Sequence, residues 1–362
     1  MSGPGTGAPA PELTEPAELG ELRDAVRAVL ARHPGHAAWT PLTAQVGAAA
    51  LAVPEEYGGL GCGTTEVAVV MAELGRALSP VPYLGSAVLT VRALLAAGDR
   101  EACERHLPGL AEGSVVGALA WAEEGGWEAP ALSTRAVPAG SDWLLTGAKR
   151  YVLAGPAEPS LVLAFAVTPE NRLGLFELDS APASFTVRAT MDTTRPLAEL
   201  TLDRTPARLL SADGAAVLDR VRDLACTALA AEQAGAAARA LETTVRYAKD
   251  RVQFGRPIGS FQAVKHRLAD MHTAVEGARS LAFAAATADA APSQAAAAKS
   301  GCSEAYAYVA GEMIQLHGGI GITWEHEAHA YFKRAHGSAH LFGPPSAHRE
   351  RLAARLGFLA AG

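Results

Sequence analysis

From about Glu15 to Arg105 apolar residues recur at helical spacing, as in "LGELRDAVRAVLARH", "TTEVAVVMAELGRAL" and "LGSAVLTVRALLAAG". These segments predict helices. Between the first two, "VPEEYGGLG" places Pro54 and the Gly58/Gly59 pair where they force an irregular connection. From about Ser114 to Leu210 the pattern changes to short β-rich runs: "SVVGALAWA", "LSTRAVPA", "DWLLTGAKRYVLAG", "SLVLAFAV", "LGLFELD", "SFTVRAT" and "AELTLD". Seven runs this closely spaced predict a small antiparallel barrel or sandwich. Helical periodicity then returns, with helices expected over about Ala216–Lys249, Phe261–Asp289 and Ser293–His317 and a fourth in the C-terminal stretch, a four-helix bundle in outline. The expected division is an unordered N-terminus over 1–14, a helical domain over 15–113, a β domain over 114–212 and a bundle over 213–362. The fold class is mostly α with a central β domain.

Composition narrows the function. A chain of 362 residues, 49% hydrophobic and 19% charged, can bury a large core. Its net charge of −7 supplies no basic stripe for nucleic acid or an anionic membrane surface. No run of about 18 apolar residues and no leader-like N-terminus is visible, so neither export nor a membrane span is expected. Cys62, Cys103, Cys226 and Cys302 lack C-x-x-C spacing, which argues against a zinc site or a disulfide framework and suits a reducing cytoplasm.

Two segments carry candidate chemistry. In "YAKDRVQFGRPIGSFQAVKHRLADM", Arg251 and Phe254 lie three apart at a helix end, Gly255 and Pro257 break the helix, and Gln262 offers an amide beyond the turn. An arginine fork there suits a pyrophosphate, although an arginine beside a helix break is more often a plain surface residue. In "EMIQLHGGIGITWEHEAHAYFKRA", Gln315 sits on a last helical turn, and Gly318, Gly319 and Gly321 let backbone N–H groups approach a phosphate or a flavin edge. The bland alternative is a glycine helix cap. The "HEAH" of His326 to His329 has i, i+3 spacing, where a helical zinc-peptidase motif needs i, i+4, so no metal is expected. Ser346 near His348 lacks the G-x-S-x-G elbow of a hydrolase.

"RVQFGRPIGSFQAVKHRLADM" with "QLHGGIGIT" about fifty residues on resembles the acyl-CoA dehydrogenase family, and the likeness extends over nearly the whole chain. "LAVPEEYGGLG" is similar to that family's N-terminal signature, "ALAWAEEGG" stands where it has A-L-T-E-P, and "LTGAKRYVLAG" where it has G-x-K-x-W-I-T. The resemblance implies an FAD enzyme that removes a proton from Cα and a hydride from Cβ of an acyl-CoA thioester, in a homo- or hetero-tetramer with electron-transfer flavoprotein as acceptor. It also implies that Arg251, Phe254, Gln262, Gln315, Gly318 and Gly319 reach a neighbouring subunit's FAD, while Trp121, Ala122, Tyr151 and Leu153 face the chain's own.

The second set departs from the family pattern. Ala122 stands in place of a Thr, and Leu153 in place of a hydroxyl two positions beyond the stacking aromatic, here Tyr151; neither donates a hydrogen bond. Trp121 and Tyr151 also read as ordinary β-domain core. The family's proton-abstracting Glu falls on Gly343 in "HLFGPPSAHRE", and its alternative place on the first bundle helix falls on Ala225, two residues after Asp223. Glu232, two helical turns on, is a weak substitute, and Glu350 is expected at the surface with Arg349 and Arg351. Three readings follow: a dehydrogenase with a relocated base, a noncatalytic partner in a heteromeric acyl-CoA dehydrogenase, or a related flavin oxidase or monooxygenase.

Overall fold

The computed structural model of the chain describes residues 17–128, 132–155 and 158–358; the segment 1–14, expected to be unordered, lies outside them. The first helical region contains α1 (Ala17–Arg32), α2 (Trp39–Val46), α3 (Thr64–Arg76), a π-helical stretch over Tyr83–Thr90 that runs into α4 (Val91–Ala97), and α5 (Arg100–Glu112). Its apolar stripes, such as Val67, Val70, Met71 and Leu74 on α3, join one large buried core.

The seven β-rich runs become seven strands: β1 (Gly117–Ala120), β2 (Arg135–Ala139), β3 (Asp142–Val152), β4 (Leu161–Val167), β5 (Leu173–Leu178), β6 (Ser184–Arg188) and β7 (Leu197–Ser211). The pairings β4–β2–β3–β7–β5–β4 close on themselves, leaving β1 beside β4 and β6 beside β7. The sheet is thus a small barrel with two flanking strands. It is not wholly antiparallel, because β1 runs parallel to β4, and β2 meets β4 in parallel at Arg135. Adjacency in the sequence suggests hairpins; the long β1–β2 connection instead lets β1 lie alongside a later strand.

The C-terminal helices are α6 (Gly214–Asp250), α7 (Gln262–Thr287), α8 (Pro292–His317), α9 (Ala328–His340) and α10 (Pro345–Arg355). The expected single fourth helix is two, because Phe342 and Gly343 take positive φ (+62° and +104°) and Pro344 follows. A two-residue hairpin, β8 (Val252–Gln253) with β9 (Arg256–Pro257), separates α6 from α7. The alanine-rich core of α6 lets α3, α7 and α8 approach it closely. No described helix is long and apolar enough to cross a membrane.

Candidate flavin and acyl site

The end of β1 and the middle of β3 are tied by a buried ion pair, Lys149 Nζ to Glu123 Oε1 at 2.6 Å. Ser133 N, Ser133 Oγ and Thr134 N also donate to the Glu123 carboxylate. Burial pushes Glu123 up, but Lys149 and these donors outweigh it and hold the carboxyl at about 2. From the other end, complete burial outweighs the same pair and lowers Lys149 to about 8. The carboxylate is the more secure half of the pair, since four donors meet it while among the described residues Lys149 finds only Glu123 and the Trp121 carbonyl.

This clamp fixes the strands that carry the residues expected to face the chain's own flavin. Trp121 and Ala122 are buried at the end of β1. A register shift between Lys149 and Val152, with Tyr151 at φ +56°, turns the Tyr151 ring outward, and Leu153 returns to the core. Trp127 fills the space between them. Its ring stacks on Tyr151 (centroids 5.7 Å apart, 24°) and meets Trp121 and Phe342 edge-on at 5.3 and 5.2 Å. Trp121 in turn stacks on Phe342 at 5.6 Å and 13°, and its Nε1 donates to the Trp127 carbonyl at 2.8 Å. Trp121 is therefore core, but core at the seam between barrel and bundle rather than inside the barrel.

Neither position offered for the proton-abstracting carboxylate holds one. Gly343 is buried at φ +104°, and a Cβ there would lie 3.2 Å from His348 Nε2. The surroundings are built for its absence: Lys299 Nζ donates to the carbonyls of Ala339 and Gly343 at 2.9 and 3.1 Å, and His348 Nε2 bonds the Phe342 carbonyl at 3.0 Å. Burial lowers Lys299 to about 8 and His348 to about 3. Ala225 is core, and Asp223 is held by Arg351 at 2.7 Å. Glu350 is exposed, whereas Arg351, expected beside it in solvent, is drawn inward by that ion pair.

Glu232 is buried and gripped by Arg195 and, at 3.1 Å, by Arg334; Arg334 also reaches Asp192 at 3.4 Å and donates to the Ser79 carbonyl at 3.0 Å. To accept a substrate proton, this carboxylate would have to exchange two guanidinium partners for a carbon acid. The cavity it lines, with Leu84, Leu153, Arg195 and Arg334, measures about 30 Å³. Small-molecule sites span about 300–1,000 Å³. The residues of this seam do not fit an isoalloxazine and a thioester.

The other set of expected contacts is arranged differently. Arg251, Phe254, Gln262, Gln315, Gly318 and Gly319 are all exposed, Phe254 at 92% on the tip of the β8–β9 hairpin. The ends of α6 and α8 are joined by Tyr247, whose ring stacks on His317 at 4.3 Å and whose hydroxyl donates to the His317 carbonyl at 3.3 Å. Arg251 follows Tyr247 by one helical turn, and Gly318, at φ +62°, follows His317. An exposed arginine and two exposed amides stand on neighbouring helix ends beside a glycine turn whose first N–H caps α8, and the arginine fork and amide N–H groups suit a diphosphate. This side fits an incoming flavin nucleotide.

Nothing in the local sequence pattern marks Trp127, Phe342 or Lys299, and His348 stands out only beside Ser346. Phe342 meets Trp121 and Trp127, and Lys299 meets the Gly343 carbonyl, across long stretches of chain.

Residues 17–114 match the model for the acyl-CoA dehydrogenase N-terminal domain and residues 196–357 that for the C-terminal domain. The acyl-CoA dehydrogenase IpdE2 of Mycobacterium tuberculosis is 41% identical over 348 residues, covering 92% of this chain and 95% of that protein. The structure of the Tcur3481-Tcur3483 steroid ACAD G363A variant superposes with a TM-score of 0.84 at 33% identity, over 96% of this chain and 99% of that one. The ChsE4-ChsE5 complex of Mycobacterium tuberculosis superposes with a TM-score of 0.87 at 28% identity, over 97% and 100%. With both domain models and a relative of this identity spanning it, the chain belongs to the acyl-CoA dehydrogenase family.

Proposed function

We propose that this chain is the noncatalytic partner in a heteromeric FAD-dependent acyl-CoA dehydrogenase. It braces the flavin of a second, dehydrogenase-like subunit and carries no working active site of its own. The observation that supports this most directly is Gly343, buried at φ +104° with His348 behind it, in a seam whose stacking positions are taken by Trp121, Trp127, Tyr151 and Phe342. A proton-abstracting carboxylate needs hydrogen-bond reach to the substrate carbon. Glu232, locked between two arginines, does not offer it.

In this reading Arg251 and the glycines after His317 meet the nucleotide's diphosphate, Gln262 and Gln315 donate to its polar edge, and Phe254 packs against the partner. FAD held there would supply hydride acceptance from Cβ, with an electron-transfer flavoprotein as the acceptor that the family resemblance implies. The substrate class is an acyl-CoA, and the steroid dehydrogenase at 33% identity favours a ring-bearing acyl group. Two neighbours of 28% and 33% identity are named as pairs of different chains, which supports a hetero-oligomer here.

The test is purification of the chain alone and with its partner subunit. The expected results are a colourless protein alone, a yellow complex that acyl-CoA bleaches, and flavin affinity of the complex about a hundredfold lower in Arg251→Ala, as for a charge left unpaired. A yellow protein obtained alone and reduced by acyl-CoA would overturn the reading.

A further inference from the structure

The glycine turn that follows α8 is bracketed by two histidines. His317 is the last residue of α8, and His326 lies in the connection before α9; the Gly318–Ile322 turn runs between them. Their ring centroids are 4.4 Å apart at 45°, and Tyr247 at the end of α6 packs on both, at 4.3 Å from His317 and 6.5 Å from His326. The turn is thus closed at its base by three packed rings, of which Tyr247 and His317 are stacked.

The hydrogen-bond partners set the tautomers. His317 Nδ1 lies 2.7 Å from the Met313 carbonyl, an acceptor, so Nδ1 carries the proton and Nε2 a lone pair. That Nε2 is buried and has no partner among the described residues, with His317 only 3% exposed. His326 has the opposite arrangement. Its Nδ1 accepts from the Ala328 N–H at 3.1 Å, so in the neutral ring Nε2 carries the proton. One imidazole lacks a donor, and its neighbour, with ring centroids 4.4 Å away, has one to give.

We propose that His317 and His326 are positioning residues. As a neutral imidazole clasp, they hold the turn between them in the shape that receives the partner's flavin nucleotide. This rests on the bracing role argued above. Protonating His317 at Nε2 sets N–H against N–H and releases the turn. Burial holds His317 below the ordinary imidazole value and His326 adds to that, while the Met313 carbonyl and Glu327 oppose it. The release therefore lies on the acid side. Around the clasp stand Arg246, Tyr247 and Asp250 on α6, Glu325 and Glu327 in the connection, with Arg239 3.9 Å from Glu327, and His329 on α9. Glu327 is held by the Thr243 hydroxyl at 3.3 Å.

The test uses the assembled complex and three variants of this chain: His326→Ala, His326→Gln and Arg251→Ala. Two quantities are read from pH 8 to pH 5: flavin dissociation by fluorescence, and amide exchange of the peptide spanning Gln315 to Glu327, corrected for intrinsic rates. The parent should lose turn protection and flavin as pH falls. His326→Ala should bind flavin about tenfold more weakly at pH 8, the loss of one buried hydrogen bond, with little further dependence on pH. His326→Gln, whose amide donates without titrating, should restore pH 8 affinity and stay flat. If both His326 variants follow the parent at every pH while Arg251→Ala releases flavin, the clasp is wrong and the bracing role stands. If Arg251→Ala retains flavin, the bracing role fails, and the exchange data alone decide whether the histidines shape the turn.

Discussion

The seam between barrel and bundle and the exposed ends of α6 and α8 carry the two halves of one family pattern, and the chain treats them in opposite ways. At the seam the hydroxyls and the carboxylate are gone, and aromatic rings pack on one another where a cofactor would be gripped. At the helix ends the arginine, amides and glycines are present and stay in solvent. On the bracing role proposed above, the difference separates residues that serve folding from residues that serve contact. Glu123 and Lys149 belong to segments expected to face a flavin, yet here their ion pair ties the β1 end to β3. Arg251 and Phe254 are exposed, as the proposed contacts to a partner would be.

This contrast predicts that seam substitutions alter stability and helix-end substitutions alter assembly. The largest effect belongs to Lys149→Met, which leaves the Glu123 carboxylate buried without its cation and should lower unfolding free energy by about 3–5 kcal/mol in a denaturant titration. Equal stability of variant and parent would make the clamp irrelevant. Next comes acid. Glu123, depressed from 4.5 to about 2, contributes stability that is complete above pH 4.5 and is lost as pH falls through that interval, about 3 kcal/mol in all. In Glu123→Gln the acid slope of stability between pH 5 and 2 should shrink accordingly; an unchanged slope would assign it to other carboxylates. The smallest effect on the folded chain is expected for Phe254→Ala. A ring 92% exposed should change chain stability by no more than about 0.5 kcal/mol, yet weaken the complex in an association assay. Loss of stability without loss of assembly would break the contrast.

The helix–barrel–helix order was readable because it rests on local periodicity, and all seven β runs became strands. The closure of the barrel, the parallel placement of β1 and the break at Gly343 were not, since each depends on which distant segment supplies a neighbour. At the site, the losses at Ala122, Leu153 and Gly343 were visible as residue types. Their consequence was not. Trp127 offers no sign in its own neighbourhood that it sits between Tyr151 and Phe342, and nothing around Glu232 announces Arg195 and Arg334 as its partners.

The sequence alone determined the family pattern, the glycine at the expected carboxylate position and the presence of the arginine and amides offered to a flavin nucleotide, because side-chain chemistry at a position needs no coordinates. Only the tertiary structure decided that the seam is filled, that Glu232 is committed to two guanidiniums, and that His317 and His326 close the glycine turn. Those outcomes depend on shape and on partners far apart in the chain, where close packing leaves room for one arrangement and a linear pattern records none of it.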